Sequence, residues 1–242
     1  MVFTEPFYVG YSDINRELGL SNTAILKYFE NAASLHGSTV GNGLGSSPAR
    51  WFLTAYHVKI HKRPRHEERI RVETWSREMR GVTASREFAI YDQAGELAVT
   101  ALSNWGHINL ETGKPQRIPA EFNTRYGSEP HRTLFGLLRL GKLKECQTYL
   151  SRQEFSVPRY FMDANRHMNN VNYLDLASLV LPEEVYALPE SCEFEIAYKK
   201  AVVYGETVQC FYGETEDSWY VTIKSRDLTD TKAVIRLYKT IP

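Results

Sequence analysis

The 242-residue sequence predicts an α+β chain made of two copies of one unit, each a long helix wrapped by a curved antiparallel sheet. Three observations predict it. Asp13-Ile14-Asn15-Arg16 recurs as Asp163-Ala164-Asn165-Arg166, a spacing of 163 − 13 = 150. Asn22-Thr23-Ala24-Ile25-Leu26 then recurs as Asn170-Val171-Asn172-Tyr173-Leu174, a spacing of 170 − 22 = 148, so the first copy is read with two extra residues. Finally, each copy leads into one helical pattern and a run of alternating strands, and a sheet with one apolar face needs a cover.

Each copy opens on a short β-like stretch, Phe7-Tyr8-Val9 or Phe155-Ser156-Val157. In the first, Asn22 is the expected N-cap, and Ala24, Leu26, Tyr28 and Phe29 start an apolar face that should run to about Leu35, before Gly37. In the second, Asn169 or Asn170 caps, Tyr173, Leu174, Ala177 and Val180 fall at helical spacing, and Pro182 stops the run. Strands follow at residues 51–60, 69–75, 82–91 and 97–108, with a turn at Asp92-Gln93-Ala94-Gly95. In the second half they follow at 208–212, 219–223 and 233–237, with turns at Glu216-Asp217 and Asp227–Asp230. One helix per antiparallel meander is the hotdog arrangement, here in tandem. Between the halves, Leu134, Leu137, Leu138 and Leu140 sit among Arg132, Arg139, Lys142 and Lys144, which reads as a basic amphipathic helix in a linker. The expected organisation is residues 1–118, a linker at 119–152, and residues 153–242.

Composition excludes several function classes. Lys+Arg 29 balances Asp+Glu 29, without the basic excess of a dedicated nucleic-acid binder. Cys146, Cys192 and Cys210 are odd in number and form no CxxC pair, so three free thiols in a reducing cytosol are expected. The start, MVFTEPFYVGY, has no basic region before an apolar stretch, so neither signal nor transit peptide is expected. No apolar run approaches the ~20 residues that span a bilayer. A cytoplasmic protein follows.

The chemistry concentrates in DANRHMNNVNY, Asp163 to Tyr173, with one histidine, four asparagines and an aspartate before an apolar run. Asparagine favours neither helix nor strand, so crowding it there needs a reason. The tip of a helix offers unpaired amides and the positive end of its dipole, which polarise a carbonyl and stabilise an oxyanion; Asn169 and Asn170 would sit at that tip. His167 beside it can take a proton from water near neutral pH. Asn165 can orient water or carbonyl without adding charge, and Asp163 can orient the imidazole. These parts suit hydrolysis of an activated acyl group such as a thioester. In the first copy Glu17 falls in the register of His167 and Leu18-Gly19-Leu20-Ser21 replaces most of the asparagines. The second half would then do the chemistry, and the first would shape a pocket for the acyl chain.

The pattern D-x-N-x-H-x-N-N-x-x-Y, opening the second of two tandem hotdog repeats, resembles the acyl-acyl-carrier-protein thioesterases. Asp163, Asn165, His167, Asn169, Asn170 and Tyr173 all match, and the resemblance covers nearly the whole chain. It implies that Asp163, Asn165 and His167 are the active-site Asp, Asn and His. It also implies that the substrate is fatty acyl-carrier protein; with no plastid transit peptide expected at the start, the chain looks like a bacterial member, and no cofactor is expected. In plant members a later Y-[RK]-[RK] precedes Glu-Cys, to which a catalytic role is assigned. Here Tyr198-Lys199-Lys200 precedes Ala201-Val202, so covalent catalysis by a cysteine at that point is excluded by residue type. Direct attack by water is the expected mechanism, with Glu195 or Glu206 as a second carboxylate only in another register. An acyl-CoA thioesterase using the same site is the enzymatic alternative. A non-catalytic acyl-thioester sensor is the other, although retention of His167 speaks against it.

Other stretches carry competing readings. Tyr28, Phe29, Trp51 and Phe52 either line an acyl tunnel or belong to the core, and Tyr173 is a further candidate for contact with substrate. Lys62, Arg63 and Arg65, or Arg139, Lys142 and Lys144, form either a docking patch for an acidic carrier protein or a solvated edge. His57 and His61 share one face of a strand without a third ligand, so metal is not expected. Gly41–Ser47 lacks the Lys-Ser/Thr ending of a P-loop and reads as a loop over the pocket. Tandem fusion supplies internally the pairing that single hotdogs achieve by dimerising, which leaves monomer and homodimer both open.

Overall fold

The computed structural model describes residues 1–43, 45 and 47–239, in two units, Met1–Leu140 and Gly141–Pro242. The first contains β1 (Phe3–Tyr8), a 3-10 turn at Tyr11–Asp13, α1 (Asn22–Thr39), β2 (Ala49–Ile60), β3 (Arg69–Arg80), β4 (Thr83–Tyr91), β5 (Leu97–Asn109) and the single turn α2 (Phe122–Arg125). Its strands pair antiparallel in the order β1-β3-β4-β5-β2. The second contains β6 (Ser151–Ser156), a 3-10 turn at Arg159–Phe161, α3 (Asn172–Ser178), α4 (Glu183–Tyr186), β7 (Glu193–Tyr198), β8 (Thr207–Glu214), β9 (Ser218–Ser225) and β10 (Thr231–Tyr238). Its order, β6-β8-β9-β10-β7, is the same topology with each strand advanced by one repeat. Strand β7, beside β10, is one the sequence reading missed, although Phe194 and Ile196 alternate with Glu193 and Glu195.

Both helices differ from expectation at their ends. Ser21, not Asn22, caps α1: its hydroxyl accepts from Ala24 N at 3.2 Å. The helix also runs through Gly37 to Thr39. Asn42 N donates to Gly37 O at 2.8 Å, and a Cβ on Gly37 would stand 3.1 Å from Asn42 O. The glycine thus admits the returning chain and does not end the helix. Inward from α1, Phe29 is fully buried between Tyr56 and Phe88, ring centroids 6.2 and 4.7 Å away. In the second unit α3 is only seven residues long, and Pro182 becomes the N-cap of α4. No helix among the described residues is long and apolar enough to cross a membrane.

The expected basic amphipathic helix does not form. Among the described residues the only helical turn in that stretch is α2, and residues 129–140 run as an irregular strap over the first sheet. The strap's backbone groups are taken by sheet side chains, which competes with i to i−4 pairing. Arg77 and Glu87, both buried, form an ion pair between β3 and β4. Glu87 Oε2 accepts from Leu134 N at 2.7 Å and Phe135 N at 3.1 Å. Arg77 donates to Leu137 O and Pro130 O, each at 2.9 Å. Phe135 is buried edge-on to His57, 4.8 Å between centroids. Asn104 Nδ2 donates to Leu140 O at 3.1 Å, and Gly136, at φ +85°, makes a turn a helix could not hold. Because α1 lies on one face of β4 and the strap on the other, β4 is buried at almost every position.

The second unit has its own strap. Glu145 accepts from Thr231 Oγ1 at 2.7 Å, Lys224 Nζ at 2.9 Å and Tyr149 OH at 2.9 Å. Burial opposes its charge, but those hydrogen bonds and the Lys224 charge hold its carboxyl down at about 2. Removing one partner of the buried Arg77–Glu87 pair leaves an uncompensated charge. Arg77→Met should therefore lower stability by about 3–5 kcal/mol. Urea unfolding measures this, and a loss below about 1 kcal/mol would contradict the role given to the pair.

Candidate active site

The DANRHMNN stretch forms a tight loop between the 3-10 turn and α3. Asp163 N donates to His167 O at 2.8 Å and Arg166 N to Asp163 O at 3.0 Å, closing it. Arg166 takes the left-handed conformation, φ +63°, which a non-glycine residue adopts at a cost. The Asp163 carboxylate offsets that cost. Its Oδ1 accepts from Asn165 N at 2.7 Å and His167 N at 3.1 Å, and its Oδ2 accepts from Asn165 Nδ2 at 3.2 Å. The expected role of Asp163 was to orient the imidazole; these bonds hold the loop backbone and the Asn165 amide. His167 pairs as a β-bridge with Val203, and Met168 N donates to Val202 O at 2.8 Å.

The first unit builds the same loop. Asn15 N donates to Gly19 O at 2.8 Å and Leu18 N to Asn15 O at 3.0 Å, with Leu18 at φ +60°. Asn15 Oδ1 accepts from Glu17 N and Gly19 N, both at 3.0 Å. Gly19 bridges to Arg65 and Leu20 N donates to Pro64 O. The counterparts are thus Asn15 and Asp163, 163 − 15 = 148, and Gly19 and His167, 167 − 19 = 148. The strands agree: 151 − 3 = 148. This corrects the sequence register. There are no two extra residues, Glu17 matches Asn165, and glycine stands where the second unit has histidine. Asp13 matches Phe161 and has a different task. Buried, it accepts from Lys27 Nζ at 2.9 Å and lies 2.8 Å from Tyr28 OH.

The helix tip is also corrected. α3 begins at Asn172 with Val171 as N-cap and no side-chain cap. Asn169 N donates to Phe161 O, Val171 N to Asn169 Oδ1, Asn172 N to Asn169 O and Tyr173 N to Asn170 O. Four of the amides expected to be open are therefore spent inside the turn, and Asn169 is a turn residue. Tyr173 is buried, its hydroxyl accepting from Val202 N at 3.3 Å and its ring edge-on to Tyr198 at 5.2 Å. Burial, with the charges of Glu206 and Asp163, pushes its phenol up to about 12. Tyr198 OH donates to Asn170 O at 3.1 Å.

The hairpin carrying Val203 is held by Lys232, which sequence reasoning did not single out, and by Glu206, considered there only as a second carboxylate. Lys232, buried in β10, donates to Ala201 O at 3.2 Å and pairs with Glu206, whose other oxygen accepts from Val203 N at 3.1 Å. A lysine directly before the Ala233-Val234-Ile235 run of β10 was the available signal. Glu195, the other carboxylate considered, accepts from Tyr238 OH at 3.0 Å. Burial pushes the Cys210 thiol up to about 12, which keeps it protonated and inert.

The remaining candidates lie elsewhere. In the first unit Phe29 is core, Tyr28 is buried with its hydroxyl at Asp13 and Tyr8 O, and Trp51 packs on His107 at 4.9 Å. Lys62 is paired with Asp92 and Glu96, and Arg63 turns inward to Leu20 O. Arg65 is exposed, and Arg139 lies 3.6 Å from Glu78. In the second unit Lys142 and Lys144 are exposed on the strap. Of Gly41–Ser47, Leu44 and Ser46 lie outside the described residues.

Comparison with known proteins agrees with this architecture. Residues 1–126 match the acyl-ACP thioesterase N-terminal domain and residues 144–238 the acyl-ACP thioesterase C-terminal domain. Among curated relatives, a chloroplastic acyl-[acyl-carrier-protein] hydrolase of Cuphea viscosissima is 26% identical over 224 residues, 82% of this chain and 54% of its own. A chloroplastic oleoyl-acyl carrier protein thioesterase of Coriandrum sativum is 24% identical over 215 residues, 79% of this chain and 58% of its own. The chain thus spans about half the length of these curated relatives. An acyl-ACP thioesterase of Bacteroides thetaiotaomicron shares the fold with TM-score 0.86 at 20% identity, covering 98% of each chain. The 12:0-ACP thioesterase of Umbellularia californica does so with TM-score 0.82 at 18% identity, covering 98% and 97%. Two matched domains in the family's order, on a tandem hotdog framework, place the chain in the acyl-ACP thioesterase family.

Proposed function

We propose that the chain hydrolyses the thioester of fatty acyl-acyl-carrier protein and releases free fatty acid, in the cytoplasm. The observation that carries this reading is one loop built twice, with histidine at the closing position in one unit and glycine in the other. Purely structural loops would have no need of the histidine, because Gly19 closes the same turn.

In the mechanism His167 takes a proton from water as the water oxygen attacks the thioester carbonyl carbon. The carbonyl electrons move onto oxygen, and the Asn170 N–H, next to the spent amides, is the donor available to that oxyanion. Collapse of the tetrahedral intermediate breaks the C–S bond, and the imidazolium returns its proton to the departing thiolate. Asn165, its amide fixed by Asp163, positions water or carbonyl. Asp163 acts through the loop: it carries out the bonds that a neutral Asn15 carries out in the first unit.

Two measurements test this. His167→Ala should lower kcat by ~100-fold or more, the scale for removing a general base. Unchanged turnover would place the base elsewhere, and wild-type turnover of acyl-CoA but not of acyl-carrier protein would reassign the substrate. At Asp163, asparagine should keep the loop and alanine should not. Asparagine keeps in neutral form the two backbone bonds that alanine loses, about 0.5–1.5 kcal/mol each, so kcat of Asp163→Ala should fall about fivefold or more below that of Asp163→Asn. Equal rates, both below wild type, would mean that the carboxylate's charge, and not its loop bonds, is what matters.

A further inference from the structure

The hairpins beside the two loops differ at a position that decides whether a corner is filled. In the first unit Arg63, two residues before the Gly19-bridged Arg65, reaches back with its guanidinium. It donates to Leu20 O at 2.7 Å and Asn22 Oδ1 at 2.9 Å. The hairpins correspond at a constant shift, 203 − 65 = 138 and 202 − 64 = 138, so Arg63 matches Ala201 (63 + 138 = 201). Leu20 matches Met168 and Asn22 matches Asn170, both at 148.

The frame of the corner is the same in both units. Val202 O takes Met168 N at 2.8 Å, as Pro64 O takes Leu20 N at 2.8 Å. Lys232 and Glu206 fix the hairpin, and Tyr198 fixes Asn170. The alanine side chain, however, cannot reach across. Among the described residues Met168 O takes no donor, although Met168 is 2% exposed, and no residue engages the Asn170 side-chain amide. A buried carbonyl without a donor is unfavourable by about 1–3 kcal/mol, so a ligand that supplies one gains. The corner therefore presents acceptors where the first unit supplies N–H donors from its own arginine, and it adjoins His167 in sequence.

We propose that this corner seats the secondary amide of the substrate's thiol arm. This rests on the thioesterase reading. Carrier protein and CoA both present the acyl group on a pantetheine arm, with an amide two methylenes from the sulfur. Its N–H would donate to Met168 O, and its carbonyl would accept from Asn170 Nδ2. The first unit keeps the same corner closed with Arg63, so only one of the two loops admits an arm.

The test compares two thioesters of one acyl group, the N-acetylcysteamine thioester, which carries that amide, and the S-pentyl thioester, which replaces it with methylenes. For wild type, kcat/KM should favour the amide by about tenfold or more, the scale of one hydrogen bond to a buried group. Ala201→Arg, which supplies the missing guanidinium, should reduce that preference at least tenfold and lower kcat/KM for acyl-CoA and acyl-carrier protein alike. Wild type showing no preference overturns the seat without any variant. So does an unchanged preference in a folded Ala201→Arg protein, or a loss confined to acyl-carrier protein, since both arms bear the same amide. Wild type cleaving none of these thioesters contradicts the hydrolase reading instead. The corner is then tested by binding of the matching thioethers, where equal affinity with and without the amide overturns it.

Discussion

A side-chain oxygen accepting two backbone N–H groups from the residues two and four positions ahead is the constraint on which the site depends. Asp163 supplies it in one unit and Asn15 in the other. It allows a non-glycine residue to hold a left-handed backbone, at Arg166 and at Leu18, and so turns the chain back on itself within five residues. The turn sets residue 167 against the neighbouring hairpin through its β-bridge to Val203. A histidine there has its backbone fixed on both sides. The proposed chemistry is thus an addition to a loop that closes without it, since Gly19 completes the same turn in the first unit.

The repetition runs through the sheets as well. Each has a helix on one face and a strap of linker against the other, and each strap is pinned by a charged group drawn in among partners. In the first unit it is Glu87 with Arg77; in the second it is Glu145 with Lys224, Thr231 and Tyr149. Buried charge is tolerated only when its hydrogen-bonding capacity is met, and here strap backbone and side chains meet it. That is why residues 134–144, with leucines and basic residues at near-helical spacing, are not a helix. Their donors and acceptors have better partners in the sheet.

Much of this was legible in the sequence. The duplication, the meanders, a helix following each loop and the DANRHMNN stretch followed from periodicity and from residues that fit no regular element. The register was not. Asp13-Ile14-Asn15-Arg16 matches Asp163-Ala164-Asn165-Arg166 letter for letter, yet the backbone equates Asn15 with Asp163, because either side chain can accept the same two N–H groups. Identity of letters misled where identity of hydrogen-bonding role decided. The strap was illegible because Glu87 and Arg77 meet it from 47 and more residues away. Ser21 was overlooked as cap because Asn22 beside it is an equally good capping residue type.

The central claim is that water attacks the thioester directly, assisted by His167, with no covalent acyl-enzyme. Rapid mixing of excess enzyme with an acyl-carrier-protein thioester, acid quenching and intact-mass analysis of the protein measure this most directly. The account predicts that free fatty acid appears in step with free thiol and that the enzyme mass never rises. An acyl adduct that forms and decays at the rate of turnover would contradict it.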